Sequence, residues 1–255
     1  MKITKSSSLV WIVFVFFIFS GTARTENQFT CTEDALIFLA NAPVVSVQPD
    51  EDAGRTEPWM VVLDDGNIRH KAIFKHIDRP RPHPLADSYR YELSAYRLHR
   101  LLGLNFIPPT TVRTLENRTG SLQLYMEGCV PFEEAGKDES VKISLKEIEE
   151  RIQDIVVFDA LTYCGCRHSK DILYQLSTGN LYRVDYSEAF APRRSLPSEC
   201  SIKGCSRALL EKLDSISDDE IRRVMEACLN EQEIDALLMR RRLILEKIRT
   251  SKRKG

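Results

Sequence analysis

Five stretches of this 255-residue chain carry side chains suited to holding a polyphosphate and a metal ion. Lys75 ends the segment Lys71-Ala72-Ile73-Phe74-Lys75, where an ammonium can reach into a cleft and neutralise phosphate charge. Glu92 falls one turn inside the next helical segment and can turn back to orient that lysine. Ser121-Leu122-Gln123-Leu124-Tyr125-Met126-Glu127-Gly128 reads as a strand running into a glycine, a hinge whose backbone at Met126 and Glu127 could bind adenine. Arg167-His168-Ser169-Lys170-Asp171 precedes a small hairpin, and Asp185 follows the second strand of that hairpin. Carboxylates at Asp171 and Asp185 would converge on Mg or Mn carrying the phosphates of ATP. Each residue alone has a plainer reading as solvated surface. The order of lysine, helix glutamate, hinge, Arg-His loop and aspartate is much harder to obtain by chance.

The elements that must position these residues can be read from pattern and punctuation. Residues 59–63 alternate as a strand, Asp64-Asp65-Gly66-Asn67 is a hairpin turn, and residues 72–74 return. Pro80, Pro82 and Pro84 make an extended connector. A helix opens at Asp87 or Ser88 and runs to Leu102, with the apolar stripe Tyr91, Ala95, Leu98 and Leu102 and a C-terminal Gly103. Residues 107–112 and 121–126 are strands, and 145–163 has a helical period. Residues 172–176 and 181–184 form the small hairpin. The last third is helical, with capping signals at Ser217-Asp218-Asp219-Glu220 and at Asn230 with Glu233. The expected class is α+β: a sheet-rich first lobe and a helical second lobe, in the two-lobed arrangement of protein kinases. The expected division is 1–23 signal peptide, 24–56 N-terminal extension, 57–249 kinase-like domain and 250–255 basic tail.

Residues 59–190 resemble the atypical secretory-pathway kinases, the Golgi casein kinase and four-jointed group, themselves distantly similar to phosphatidylinositol 3/4-kinases. The resemblance rests on Ile73-Phe74-Lys75, Tyr91-Glu92-Leu93-Ser94-Ala95-Tyr96 leading to Leu101-Leu102-Gly103-Leu104, and Pro108-Pro109-Thr110. It continues through Phe158-Asp159-Ala160-Leu161, the Arg167-His168 loop and Val184-Asp185-Tyr186-Ser187-Glu188-Ala189-Phe190. It implies that Lys75 contacts the α- and β-phosphates, Glu92 pairs with it and Asp185 holds the metal. The family pattern at the catalytic loop is Asp-Arg-His, but Cys166 stands where the aspartate belongs, and Asp171 stands where the lipid kinases have an asparagine. A thiol is a poor substitute for the carboxylate that receives the acceptor proton. The resemblance with that departure implies a nucleotide-binding protein of weak or absent catalysis, unless Asp159 or Asp171 serves as base.

The compartment is read from the ends of the chain and from its cysteines. Lys2 and Lys5 precede an unbroken apolar run over residues 9–19, and the small residues Gly21 and Ala23 suit signal-peptidase cleavage after Ala23. The run is short of the ~20 residues needed to span a bilayer, so no stable membrane insertion is expected. Lys+Arg total 36 and Asp+Glu 37, a balance that argues against a nucleic-acid partner. The seven cysteines all lie beyond the signal segment, where an oxidising Golgi lumen or extracellular space favours disulfides. Their spacing does not match a zinc site. Asn117-Arg118-Thr119 is a glycosylation sequon. Three function classes remain: a kinase-like nucleotide binder acting through a partner kinase or other secretory protein, an active kinase on protein Ser/Thr or a glycan, and a non-catalytic binding module.

Overall fold

A computed structural model describes residues 29, 32–49, 57–83, 85–137, 145–165 and 169–252. The signal segment 1–23, Pro84, Cys166-Arg167-His168 and residues 253–255 lie outside the described residues.

The first lobe is built on a five-stranded antiparallel sheet, in spatial order β1 (Val44–Pro49), β2 (Trp59–Asp64), β3 (Arg69–Lys75), β7 (Arg118–Leu124) and β6 (Thr110–Leu115). Helix α1 (Thr32–Asn41) and strand β1 (Val44–Pro49) come first, followed by β2 (Trp59–Asp64) and β3 (Arg69–Lys75). Alternation in β2 buries Trp59, Val61 and Leu63 on one face, as a period-two pattern requires. The β2–β3 turn is closed by Asp65, whose Oδ1 accepts from the N–H groups of Asn67 at 2.9 Å and Ile68 at 2.8 Å, while Gly66 supplies φ +90°. Within the expected N-terminal extension, the described residues 32–49 form α1 and β1. Strand β1 pairs with β2 from Trp59 to Leu63, and Phe38 and Leu39 of α1 are buried in the same core as Phe74 and Leu122. Ala35, Phe38 and Leu39 of α1 are buried, whereas Ile37, Val44 and Val45 are exposed.

Two short strands, β4 (Asp78–Arg79) and β5 (Asp87–Ser88), pair with each other and lead into helix α2 (Tyr89–Leu101). Ser88 is its N-cap, accepting from Arg90 N–H at 3.1 Å, and Gly103 ends it at φ +71°. All four stripe residues, Tyr91, Ala95, Leu98 and Leu102, are buried, and they join the core of the second lobe. Helix α2 thus ties the lobes together. Strands β6 (Thr110–Leu115) and β7 (Arg118–Leu124) follow. The ladder starts at Thr110 rather than Ile107 because Pro108 and Pro109 have no N–H to give. It reaches down to Leu115 paired with Arg118, across a tight turn in which Glu116 (φ +47°) and Asn117 (φ +62°) are both left-handed.

The second lobe opens with a three-stranded antiparallel sheet of β8 (Cys129–Pro131), β9 (Ile172–Gln175) and β10 (Leu181–Arg183). Around it lie α3 (Phe132–Ala135), α4 (Leu145–Thr162), α5 (Arg207–Ser215), α6 (Asp218–Met225) and α7 (Glu231–Lys252). Ser217 caps α6 through Glu220 N–H at 3.1 Å. Asn230 and Glu233 cap α7 reciprocally, each side chain accepting from the other's backbone N–H at 3.0 Å. Helix α7 runs through Lys252, and the rest of the expected basic tail, 253–255, lies outside the described residues. The core packs Phe158, Tyr186, Phe190, Leu213, Met225 and Ile244, each fully buried side chain contributing roughly 1.5–3 kcal/mol. The architecture is α+β, sheet-rich first and helical second.

Candidate functional site

Lys75 is the last residue of β3, and its position is set by parity. Ala72 and Phe74 point into the first-lobe core, so Ile73 and Lys75 share the opposite face. Ile73 is paired with Met60 on β2 and Gln123 on β7, giving a half-buried row beside the lysine that a planar base could cover. Sequence reasoning missed Met60 and Ile73, although the parity of Lys75 already pointed to them. It also missed Gly120. A Cβ there would collide with the Lys75 carbonyl oxygen and lie 2.7 Å from the Phe74 ring, so only glycine lets β7 close against the end of β3.

Three charged groups meet between the lobes. Lys75 Nζ donates to Glu92 Oε1 at 2.5 Å and to Asp185 Oδ1 at 2.7 Å. Glu92 is buried, and its Oε2 accepts from Tyr186 N–H at 3.1 Å, so one carboxylate fixes both the lysine and the backbone just after Asp185. Asp185 adopts φ +66°, which an aspartate tolerates better than most residues. Ser187 Oγ donates to its Oδ1 at 3.2 Å. Burial pushes the Glu92 carboxyl up against the pull of Lys75, while the Lys75 charge holds Asp185 down at about 2. The Asp185 side chain is 47% exposed, so an ionised carboxylate faces solvent beside a cation. An exposed, ionised oxygen ligand is what a hard divalent cation requires, and Asp185 fits that role. Among the described residues no group of three or more His, Cys, Asp or Glu side chains forms a metal cluster.

Behind Asp185 lies a second charged cluster. Arg183 is buried, with Nε donating to Asp159 Oδ2 at 3.1 Å, Nη1 3.5 Å from Asp171 Oδ2 and Nη2 3.5 Å from Cys164 Sγ. Tyr186 Oη donates to Asp159 Oδ1 at 3.0 Å. Asp159 is 3% exposed, with each oxygen engaged. Both oxygens of this enclosed carboxylate are thus engaged, one by Arg183 and one by Tyr186. Asp171 is brought to the site: its carbonyl accepts from Val184 N–H at 3.0 Å, and its side chain is 24% exposed. Its carboxylate faces Arg183, which competes with a metal for the same lone pairs. The Cys164 thiol donates to the Asp185 carbonyl at 3.6 Å, and burial pushes it well above the usual thiol range. It is an inert packing group. The Arg-His loop and Cys166 fall outside the described residues.

The hinge crosses from the first sheet to the second. Tyr125 N–H donates to the Lys71 carbonyl at 3.1 Å, and Gly128, at φ +67°, begins the descent into β8. The Met126 side chain packs back on the first-lobe core, whereas Glu127 is exposed. Asn117 stands exposed at its turn, as an acceptor for a glycan would. Cys200 is disulfide-bonded, while Cys164 and Cys228 are thiols.

No family model matches the sequence, and no curated protein matches it. Among solved structures, the proinflammatory kinase CtkA of Helicobacter pylori superposes with a TM-score of 0.51 at 12% identity, covering 82% of this chain and 94% of that one. The FAT and kinase domain of CtTel1 gives a TM-score of 0.43 at 12% identity over 83% of this chain, which spans 22% of that chain. At this identity the likeness to CtkA is one of fold. The chain has a kinase-like, two-lobed α+β fold, with Lys75, Glu92 and Asp185 brought together where its lobes meet.

Proposed function

We propose that this chain is a secretory-pathway kinase-like protein that binds ATP with Mg or Mn between its lobes and transfers phosphate weakly or not at all. It would act through a partner, either a second kinase or another secretory protein. The observation that carries this reading is the Lys75–Glu92–Asp185 constellation. In this reading Lys75 neutralises the phosphates, Glu92 holds its stem in place, and Asp185 holds the metal. The half-buried row of Met60 and Ile73 covers the base, and the Met126–Glu127 backbone meets its edge. The bound metal would supply charge neutralisation at the phosphates.

Weak transfer is supported from two sides. Cys166 replaces the carboxylate of the family pattern, and the nearby carboxylate of Asp159 is consumed by Arg183 and Tyr186. The partly exposed Asp171 favours a second reading, an active kinase on protein Ser/Thr or a glycan, in which that residue is the base. The luminal assignment is supported by the apolar run at residues 9–19 and by the disulfide at Cys200, a bond that persists in oxidising compartments. The test is calorimetry of the mature protein with a non-hydrolysable ATP analogue and Mn. Binding that requires the metal and is weakened by Lys75→Ala supports the reading. Absence of binding at millimolar nucleotide removes it in favour of a non-catalytic module.

A further inference from the structure

The chain after Asp185 folds into a tight turn. Ala189 N–H donates to the Tyr186 carbonyl at 3.0 Å, closing residues 186–189, and left-handed residues flank the turn at Asp185 (φ +66°) and Phe190 (φ +62°). The turn bears directly on Asp185, because Ser187 Oγ donates to its Oδ1 at 3.2 Å. Its near side is held by the Glu92 carboxylate on Tyr186 N–H and by Ser88 N–H on the Ser187 carbonyl at 2.9 Å. Its far side is held by Arg81.

Arg81 lies in the proline connector between β4 and β5. Its guanidinium forks across two successive carbonyls: Nη1 donates to that of Ala189 and Nη2 to that of Glu188, each at 2.6 Å. Two charge-assisted bonds from one planar group fix direction as well as distance. Buried groups of α2 and α7 aim the fork. Its Cζ lies 5.0 Å over the Tyr91 ring, its backbone N–H donates to Tyr91 Oη at 2.9 Å, and Nη1 is 3.7 Å from Glu233 Oε1. Tyr91 Oη donates to that same Glu233 oxygen at 2.7 Å, while the other oxygen caps α7 through Asn230 N–H. A stripe residue of α2 and a capping residue of α7 thus stand together behind the clamp.

We infer that Arg81 is a positioning residue for Asp185: by holding the 186–189 turn it keeps that carboxylate directed at a metal ion. This rests on the metal-binding role proposed for Asp185. The path is short, from two carbonyls through one turn to the Ser187 hydroxyl and Asp185 Oδ1. Without the fork, the Glu188 and Ala189 carbonyls lose these donors and the turn is free to rotate. Ser187 then leaves Asp185, whose carboxylate falls back on Lys75. Neither Lys75 nor the Met60–Ile73 row bonds to Arg81, so nucleotide without metal should bind as before. A clamp that merely staples the connector to the second lobe makes the opposite forecast, leaving the metal unaffected. Arg113 supplies the comparison. It forks across the Leu39 and Ala42 carbonyls at 2.7 and 2.6 Å in the same manner, but at the end of α1 rather than at the turn.

The experiment uses the mature full chain and a non-hydrolysable ATP analogue. Mn bound with the analogue is counted by electron paramagnetic resonance, and binding of the analogue in excess chelator is measured by calorimetry. Arg81→Ala should weaken the Mn complex about tenfold, the scale of lost charge-assisted bonds. Its binding of the analogue in chelator should stay within about twofold of the parent, as should both affinities of Arg113→Ala. Millimolar guanidinium chloride should restore most of the Mn affinity of Arg81→Ala and leave the parent unchanged. It can enter by the open cavity of about 750 Å³ that Arg81 lines with His83, Glu188 and Asn230. Arg81→Lys keeps the cation but cannot fork across both carbonyls, and should lose about threefold; it carries the test if Arg81→Ala does not fold. Parent-like Mn affinity in the variant tested, an equal loss with and without metal, a loss that guanidinium does not reverse, or the same loss in Arg113→Ala would each overturn the inference. A parent without any Mn-dependent binding is a different result: it removes the metal reading of Asp185, and the role of Arg81 goes with it.

Discussion

Lys75 Nζ and Asp185 Oδ1 stand 2.7 Å apart, although 110 residues separate them in sequence. The pair is a closed circuit: in the function proposed above the cation meets phosphate and the carboxylate meets a metal, and without them the two satisfy each other directly. Phosphate and divalent ion carry the complementary charges, so they can insert between the two only together. Nucleotide without metal would set its own negative charge against Asp185.

The first prediction follows. The ATP analogue binds at least tenfold more tightly with Mn than with excess chelator, and Asp185→Ala abolishes that difference. Lys75→Ala weakens the metal-nucleotide complex by about 10- to 100-fold, the range of a charge-assisted contact. Because Asp185 titrates at about 2, below its ordinary 3.8, its charge is present throughout pH 5–8. That contribution to the metal effect is flat over this window and fades only as pH falls towards 2. Calorimetry at several pH values checks each point.

Gly120→Ala should act on the same site from behind. The new methyl meets the Lys75 carbonyl and the Phe74 ring, both parts of a packed strand rather than the tips of flexible side chains. Overpacking of this kind costs about 1–3 kcal/mol. The variant should show a lower Tm and, unlike a remote destabilising change, a weaker nucleotide affinity as the end of β3 shifts. An unchanged affinity at reduced Tm would detach Gly120 from the positioning of Lys75.

The sequence was most legible where pattern and punctuation coincide. The stripe on α2, its Gly103 stop, the β2–β3 turn and the two capping boxes were all readable because local chemistry decides them. Lys75, Glu92 and Asp185 were nameable from order alone, and the structure brings them into contact. Less legible were α1 and β1, which lie in a mixed polar and apolar stretch without a clean period, and β8, only three residues long. The roles of Asp159 and Arg183 were hidden for a different reason. Nothing local tells a buried carboxylate from a catalytic one; only the meeting of α4 with the end of β10 does.

His99 makes the fold acid-sensitive in a predictable direction. Burial, aided by the neighbouring Arg100 charge, lowers it to about 3 in the folded chain, against 6.5 ordinarily. The unfolded chain therefore binds more protons between those values, and stability falls as pH drops below 6.5. From pH 7 to pH 5 the loss is about 2 kcal/mol, at about 1.4 kcal/mol per unit. His99→Gln, which cannot titrate, should lose that much less over the same interval in urea unfolding. Equal slopes for the two proteins would show that His99 is not held neutral.

Asp159→Asn separates positioning from catalysis. Arg183 is buried, and Asp159 is its nearest counter-charge. Removing the charge should destabilise the protein by about 3–5 kcal/mol, or roughly 10 °C in Tm for a domain of this size. Asp171→Asn, with the more exposed carboxylate, should cost far less. If Asp159→Asn instead leaves Tm unchanged and removes a phosphotransfer activity, Asp159 is a base after all.

The last prediction concerns Cys166. Wherever the acceptor hydroxyl docks, it needs a carboxylate to orient it and receive its proton, and the family pattern puts that group where this chain has Cys166. Asp159 is bound to Arg183 and Tyr186, and Asp171 lies 3.5 Å from Arg183, so in the reading proposed above neither replaces it. Lys75, Glu92 and Asp185 are already assembled, so the missing part is a single group. Cys166→Asp should therefore raise phosphate transfer to a generic protein acceptor, or hydrolysis of ATP, by about 10²–10⁴-fold over the parent chain, the usual scale of general-base assistance. The parent should transfer far more slowly than the roughly 1–100 s⁻¹ of working kinases. A parent rate within that range would identify another base, with Asp171→Asn the variant to expose it. A silent Cys166→Asp that still binds metal and nucleotide would mean the acceptor site, and not the base alone, is absent.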